Sequence, residues 1–324
     1  MADAPLFAVR DLRVAFNRAG RPLEAVRGID LDVAAGEVVG IVGESGSGKS
    51  VAMLAALGLQ PANATVRGSV RFKGRELVGL PRSELRHLRG SRIAMIFQDP
   101  LSSLNPVMTV GAQVAEALVL HNPGMSARAA MDRAVALLDL VAIPQPDRRV
   151  HQFPHEFSGG MRQRAMIAMA VANDPDLLIA DEPTTALDVT VQAQIMEVLA
   201  GLQKRLHLGL VLITHDLGVL AGHADRVVVM YSGEVVEQAA VDDLFARPAH
   251  PYTRSLIASI PDMETERERL FSLEGVPPAL GSLPRGCAFH PRCPQAQGIC
   301  RERAPVRHRH GDQLVACHFA GSAA

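Results

Sequence analysis

Tryptophan is missing from this chain, and aromatic residues make up only 4% of its 324 residues. The stacking platforms on which single-stranded nucleic acids are usually bound are therefore poorly supplied. Charge of either sign is not in excess: 33 Lys and Arg face 34 Asp and Glu, for a net charge of -1. That balance argues against a nucleic-acid partner, which would call for a basic surplus. The opening Met1-Ala2-Asp3-Ala4-Pro5 has neither the basic stretch nor the apolar run of a signal peptide. No uncharged apolar run reaches the roughly 18 residues of a membrane span, and the longest, 165–172 and 208–214, have the length of core segments. These shortages point to a chain kept in the cytoplasm that meets a membrane only through a partner. Cysteine is absent from the first 286 residues; Cys287, Cys293, Cys300 and Cys317 all lie near the end. In a cytosolic chain such clustering suggests metal ligation more than disulfides.

What is present supports a substantial core: 48% of residues are hydrophobic and 21% charged, so wholesale disorder is excluded. Short strand-like runs occupy 7–16, 29–33 and 69–72, and the continuous apolar run 38–42 reads as a buried parallel strand. From about 99 to 174 the pattern turns helical, with Ala, Leu and Val three and four apart in 109–121 and 126–140, the second capped by Ser126. Strands return at 177–180, 209–214 and 226–231, with a helix at 191–206 between the first two. Alternating strands and helices imply an α/β fold with a parallel sheet covered on both faces. After Gly233 prolines multiply and the sequence reads as an irregular C-terminal extension from about residue 236; no internal repeat is visible.

Three motifs carry chemistry. Gly43-Glu44-Ser45-Gly46-Ser47-Gly48-Lys49-Ser50 fits the phosphate-loop pattern, after a buried strand and before the helical run 51–59. Its glycines let backbone N–H groups turn toward phosphate oxygens, and the helix that follows adds partial positive charge. Lys49 would reach the β- and γ-phosphates, and Ser50 would ligate Mg²⁺. The bland alternative is a flexible Gly/Ser turn. Leu177-Leu178-Ile179-Ala180-Asp181-Glu182 is an apolar strand ending in two acids, placed to hold Mg²⁺ through Asp181 and to polarise water through Glu182. Strands often end in acids, so this signal depends on the loop upstream. Ser158-Gly159-Gly160-Met161-Arg162-Gln163-Arg164 opens a helix that Ser158 caps, with two glycines allowing an anion close.

Together these residues resemble an ABC-transporter nucleotide-binding domain, a P-loop NTPase fold of RecA-like type with a β-rich subdomain and a helical insertion. Residues 43–50 are similar to its Walker A motif, 157–161 to its signature and 177–182 to Walker B. Ala186-Leu187-Asp188 resembles the D-loop, Gln98 the Q-loop and His215 the switch histidine. Phe16 is the candidate to stack on adenine, with a core strand residue as the alternative. The signature departs from the common LSGGQ at both ends, where Phe157 and Met161 stand. The resemblance implies ATP and Mg²⁺ as ligands. Gly43, Ser45, Gly46, Ser47, Gly48, Lys49 and Ser50 would cradle the nucleotide, and Ser50, Asp181 and Gln98 would surround the metal. Glu182, His215 and Gln98 would act in catalysis. Ser158, Gly159, Gly160 and Asp188 would face the nucleotide of a second cassette, stacked head to tail.

His250-Pro251-Tyr252-Thr253 and the Pro/Cys region after it resemble the extension of dipeptide, oligopeptide and nickel importer ATPases. This divides the chain into a nucleotide-binding domain over 1–235, with its helical subdomain at about 99–174, and an extension over 236–324. The resemblance implies an importer ATPase on the cytoplasmic face of a bacterial inner membrane. Its partners would be a second, homologous ATPase, two transmembrane permease subunits and a periplasmic or extracellular solute-binding protein, with no nucleic acid. Without a CxxC pair, the four cysteines read as a [4Fe–4S] site, as in members of that branch, with zinc or unligated thiols as alternatives. Competing readings are a soluble ABC ATPase of translation or repair, an unrelated P-loop kinase or GTPase, and a redox protein with a regulatory cassette. The single cassette, the short interval between Walker A and the signature, and the intact Glu182 speak against them.

Overall fold

A computed structural model describes residues 4–99, 103–185, 187–260 and 273–321. The chain divides into two compact units, one built mainly from Leu80–Leu212 with Val33–Glu37, the other from Phe7–Asp32, Val38–Gly79 and Ile213–Ala324.

In the first unit, strand Ile93–Ile96 runs parallel to Leu177–Asp181. Every residue of Leu177–Asp181 is buried, as a strand covered on both faces requires. Helices Val110–His121, Ala127–Leu140, Gly159–Ala170 and Val189–Leu206 pack together. Val114, Leu118, Ala134, Leu137, Leu138 and Ile167 fill the space among them. Each of these helices begins at a side-chain cap: Thr109 accepts from the Ala112 N–H, Ser126 from Ala129, Ser158 from Met161 and Asp188 from Val191. Such caps satisfy one orphan donor of the first turn and stabilise it by about 1 kcal/mol each. The helical periodicity at 109–121 and 126–140 and the Ser126 cap are thus found as expected.

In the second unit, a four-stranded sheet has the order Arg21–Val33, Phe7–Arg18, Ala64–Phe72, Arg75–Glu76. A separate set of strands begins with Val38–Val42, parallel to Arg226–Tyr231. The latter continues by an antiparallel hairpin into Glu234–Ala240. Reading the chain as irregular after Gly233 missed that strand. The signal was the two-residue connection Ser232-Gly233, both at positive φ (46° and 84°), which is the turn whose twist matches a hairpin. Two short strands, Gln313–Val315 and His308–His310, extend the same ladder.

The iron–sulfur expectation for Cys287, Cys293, Cys300 and Cys317 is corrected here. All four are free thiols, and among the described residues no group of three or more His, Cys, Asp or Glu side chains is arranged to hold a metal ion. Burial pushes the Cys287 thiol up to about 11 and raises Cys293 and Cys317 as well, so these groups stay protonated at neutral pH. The backbone ties the segment together: the Cys287 N–H donates to the Cys300 carbonyl at 2.8 Å, and the Phe319 N–H to the Cys317 sulfur at 3.4 Å.

A polar knot starts the helix Pro251–Ala258. The fully buried Glu237 carboxylate accepts the N–H groups of Ala249 and His250 at 2.7 and 2.9 Å. The His250 ring, 1% exposed, accepts the Tyr252 N–H on Nδ1 at 3.0 Å. Burial holds the imidazole neutral, its pKa pushed down to about 3. The folded value lies below the ordinary His value of about 6.5, so this contribution to stability is complete above pH 6.5 and is lost as pH falls toward 3. Glu237 has the opposite sign, because burial raises its pKa: its contribution is present at low pH and declines as pH rises through the raised value. His250→Asn keeps an acceptor for the Tyr252 N–H and removes the titration. Urea unfolding at successive pH values should show the wild-type chain losing about 1.4 kcal/mol per pH unit more than the variant over the upper part of that window. Parallel curves would remove His250 as the titrating group.

Candidate active site

The second unit carries the glycine-rich loop. Strand Val38–Val42, buried throughout, delivers the chain to Gly43, and helix Lys49–Ala56 takes it away. A side chain at Gly43 would put Cβ 2.2 Å from the Met230 carbonyl oxygen; at Gly48, where φ is +98°, it would lie 2.7 Å from that of Ala25. Only glycine fits either place. The loop is tied from outside as well: the Gly233 N–H donates to the Ser47 carbonyl at 2.9 Å. Ser45 and Gly46 form the exposed tip. The Lys49 side chain is buried and folds back over the loop, its Nζ donating to the Gly43 and Glu44 carbonyls at 2.7 and 3.1 Å. The Ser47 hydroxyl is buried without a hydrogen-bond partner, a costly arrangement unless a ligand supplies one. An inward-facing cationic side chain, an orphaned hydroxyl and a backbone that tolerates no Cβ fit a bound polyphosphate. In the same unit, Phe16 is half-exposed opposite Ala64, and His215 is exposed just past strand Gly209–Thr214.

The first unit carries the acids. Asp181 ends its strand with 4% exposure. Glu182 turns the chain with a positive φ of 48°, an uncommon conformation for a residue with a side chain and one that concentrates at functional sites. Its Oε2 accepts from the exposed Gln98 amide at 2.9 Å and from the Thr185 hydroxyl at 2.8 Å. The structure puts Gln98 and Glu182 within hydrogen-bond reach of each other and adds Thr185, which the sequence reading missed. Its signal was a hydroxyl three residues past the acid, the spacing at which a turn returns a side chain. The carboxylate of Asp181 and the amide oxygen of Gln98 are hard donors of the kind that Mg²⁺ selects.

The capping turn Ser158-Gly159-Gly160 also lies in the first unit. Ser158 and Gly159 are exposed, while a Cβ on Gly160 would meet Val191 at 2.6 Å. Gly160 therefore lets its helix start flush against helix Val189–Leu206, which Asp188 caps. Ala186 of the D-loop reading lies outside the described residues.

Comparison with known proteins identifies the family. Residues 26–185 match the model of the ABC transporter family, and residues 236–300 that of the oligopeptide/dipeptide transporter C-terminal region. A probable peptide ABC transporter ATP-binding protein of Sinorhizobium fredii is 54% identical, over 93% of this chain and 90% of that protein. This chain belongs to the ABC transporter ATP-binding proteins of the oligopeptide/dipeptide branch. The oligopeptide transport ATP-binding protein OppD of Mycobacterium tuberculosis is also 54% identical over 93% of this chain, and the chain spans about half of that relative's length. Among solved structures, the dimeric cassette MJ0796 in a post-hydrolysis state bound to ADP and Pi aligns with a TM-score of 0.65 and 28% identity. That alignment covers 72% of this chain and 98% of the cassette. The expected ABC nucleotide-binding fold is therefore established, and cassettes of this family use ATP and Mg²⁺.

Gly48 and Gly46 offer a controlled comparison. Both have positive φ, but a Cβ at Gly46 meets nothing within 4 Å. Gly46→Ala should incur backbone strain alone, on the order of 1–3 kcal/mol. Gly48→Ala adds a collision with backbone and should weaken ATP binding by a further tenfold or more, about 1.4 kcal/mol. Titration with a fluorescent ATP analogue checks this; equal affinities in the two variants would refute the cradle geometry.

Proposed function

We propose that this chain is the ATP-hydrolysing subunit of an importer that moves dipeptides, oligopeptides or a related solute across the cytoplasmic membrane. The orphaned, buried Ser47 hydroxyl inside the glycine cradle is the observation that carries the reading: that environment asks for a phosphate oxygen. Bound Mg²⁺ would neutralise phosphate charge, held by Ser50 and Asp181 with Gln98 beside them. Lys49 would exchange its loop carbonyls for the β- and γ-phosphates. Gly43, Ser45, Gly46, Ser47 and Gly48 would present the surrounding N–H groups, and Phe16 would stack on adenine. Glu182, oriented by Gln98 and Thr185, would hold the attacking water and take its proton as the water oxygen bonds to the γ-phosphorus and the bond to ADP breaks. His215 would contact the γ-phosphate.

Ser158, Gly159, Gly160 and Asp188 are assigned to the nucleotide of a second cassette. The exposure of Ser158 and Gly159 and the likeness to a dimeric cassette support that assignment. On this reading residues 1–235 form the nucleotide-binding domain, with its helical subdomain at about 99–174, and 236–324 an importer-type extension. The family match over 236–300 supports the extension. The partners would be a second, homologous ATPase, two transmembrane permeases and a solute-binding protein outside the membrane. Among the described residues no helix is long and apolar enough to cross a membrane. A peripheral place on the cytoplasmic face is consistent with that.

Glu182→Gln tests the chemistry. Steady-state ATP turnover should fall by a factor on the order of 10² to 10⁴, the range for loss of a general base, while ATP binding survives. Undiminished turnover in a folded variant would take Glu182 out of that role.

A further inference from the structure

Glu44 occupies one of the variable positions of the glycine-rich loop, and nothing in the proposed chemistry uses it. Yet it is held by both its side chain and its backbone. Both its carboxylate oxygens accept from Arg292, Nη1 to Oε2 at 2.6 Å and Nη2 to Oε1 at 2.9 Å. Its backbone N–H donates to the Tyr252 hydroxyl at 2.9 Å. These partners lie 248 and 208 residues further along the chain.

The holding groups are themselves fixed. The Arg292 side chain is only 4% exposed, and its guanidinium sits 5.9 Å from the centre of the Tyr231 ring. Its Nε donates to the Glu274 carbonyl at 3.0 Å. Tyr231 and Tyr252 are the only two tyrosines of the sequence. Their rings meet edge-on with centroids 4.7 Å apart, and both pack against Phe289, at 5.2 and 5.3 Å. Tyr252 in turn is set by the knot at Glu237 and His250, where the helix Pro251–Ala258 begins.

A bidentate pair between a guanidinium and a carboxylate fixes direction as well as distance. An N–H bound to a tyrosine oxygen cannot swing toward a phosphate, so the Glu44 peptide plane is set and the donors after it keep their bearing. A loop already held in its binding conformation loses less freedom when the ligand arrives, and that difference appears as affinity.

We propose that Arg292 and Tyr252 are positioning residues for the phosphate loop, and that through Glu44 they hold the ATP cradle in its receptive shape. This rests on the reading of the loop as an ATP site. Arg292 and Tyr252 thereby set the affinity for ATP without touching it.

The test uses the full-length chain and ATP itself, comparing wild type, Lys49→Ala, Glu44→Gln, Arg292→Gln, the Glu44→Gln/Arg292→Gln double variant, Arg292→Lys and Tyr252→Phe. Arg292→Gln and Glu44→Gln should each raise the dissociation constant and KM for ATP about tenfold, and the double variant no further, because one interaction is lost in all three. Turnover at saturating ATP should stay within about twofold, since no reacting group is altered. Arg292→Lys should recover part of the affinity, and Tyr252→Phe should lose about threefold. A pair that merely staples the chain together would lower thermal stability and leave KM unmoved; that outcome in folded variants overturns the proposal, as does additivity in the double variant. If Arg292→Gln does not fold, Glu44→Gln and Tyr252→Phe decide. Wild-type protein that fails to bind ATP, or binding that survives Lys49→Ala, would instead overturn the ATP-site reading.

Discussion

A backbone that gathers its own N–H groups around an anion must adopt dihedral angles that side chains resist, and it must hold them with no anion present. In this protein that requirement falls on Gly43 to Lys49. Gly43 and Gly48 are pressed so closely by the Met230 and Ala25 carbonyls that a methyl group would fit neither place. The buried strand before the loop and the helix after it fix where the loop enters and leaves. What lies between has no repetitive hydrogen bonding to steady it. It leans instead on single contacts: Lys49 across two carbonyls, Gly233 on Ser47, and Glu44 on Tyr252 and Arg292. The proposed chemistry depends on that loop keeping its shape, because positioning and charge neutralisation contribute most to phosphoryl transfer.

The acids of the first unit meet a related constraint. Asp181 is reached by an apolar strand, which places a charge at the boundary of a dry interior. Glu182 must leave that strand abruptly for its carboxylate to face outward, and its left-handed backbone is how it does so. Gln98 and Thr185 then fix the carboxylate with two donors. Both of these partners are neutral, and their hydrogen bonds orient the group. A general base has to be positioned and still be able to accept a proton.

Much of this was legible in the sequence, for identifiable reasons. The helices at Val110–His121 and Ala127–Leu140 announced themselves by apolar spacing, and the second also by its hydroxyl cap at Ser126, signals that lie within one turn of the element they mark. The glycine loop, the double acid and Ser158-Gly159-Gly160 were readable because each is compact and adjoins a strand or helix start. Gln98 and Glu182, 84 residues apart, could be joined only by resemblance to a known family. The contacts of Glu44 were invisible, because an arginine and a tyrosine more than 200 residues away carry no mark of their partner. The cysteines misled for the converse reason. Their density near the C-terminus is a property of the chain, whereas ligation requires a set of side chains arranged around an ion, and among the described residues no such set is found.

The two ends of the proposed catalytic apparatus differ in how they are stabilised. Ser158 spends its oxygen on the Met161 N–H, and Gly160 is flush against Val191, so the turn that would face a second cassette is rigid through its own helix. Such a surface can be ready before any partner arrives, because helix geometry fixes its donors. The glycine-rich loop has no such internal support, since the residues that let it approach phosphate closely are the residues that give it the most freedom. Rigidity there must be imported, and one source is the aromatic cluster of Tyr231, Tyr252 and Phe289 with the Arg292–Glu44 pair beside it. An extension that follows the nucleotide-binding residues in sequence can thus be part of the same physical solution: it supplies to the loop the order that glycine cannot.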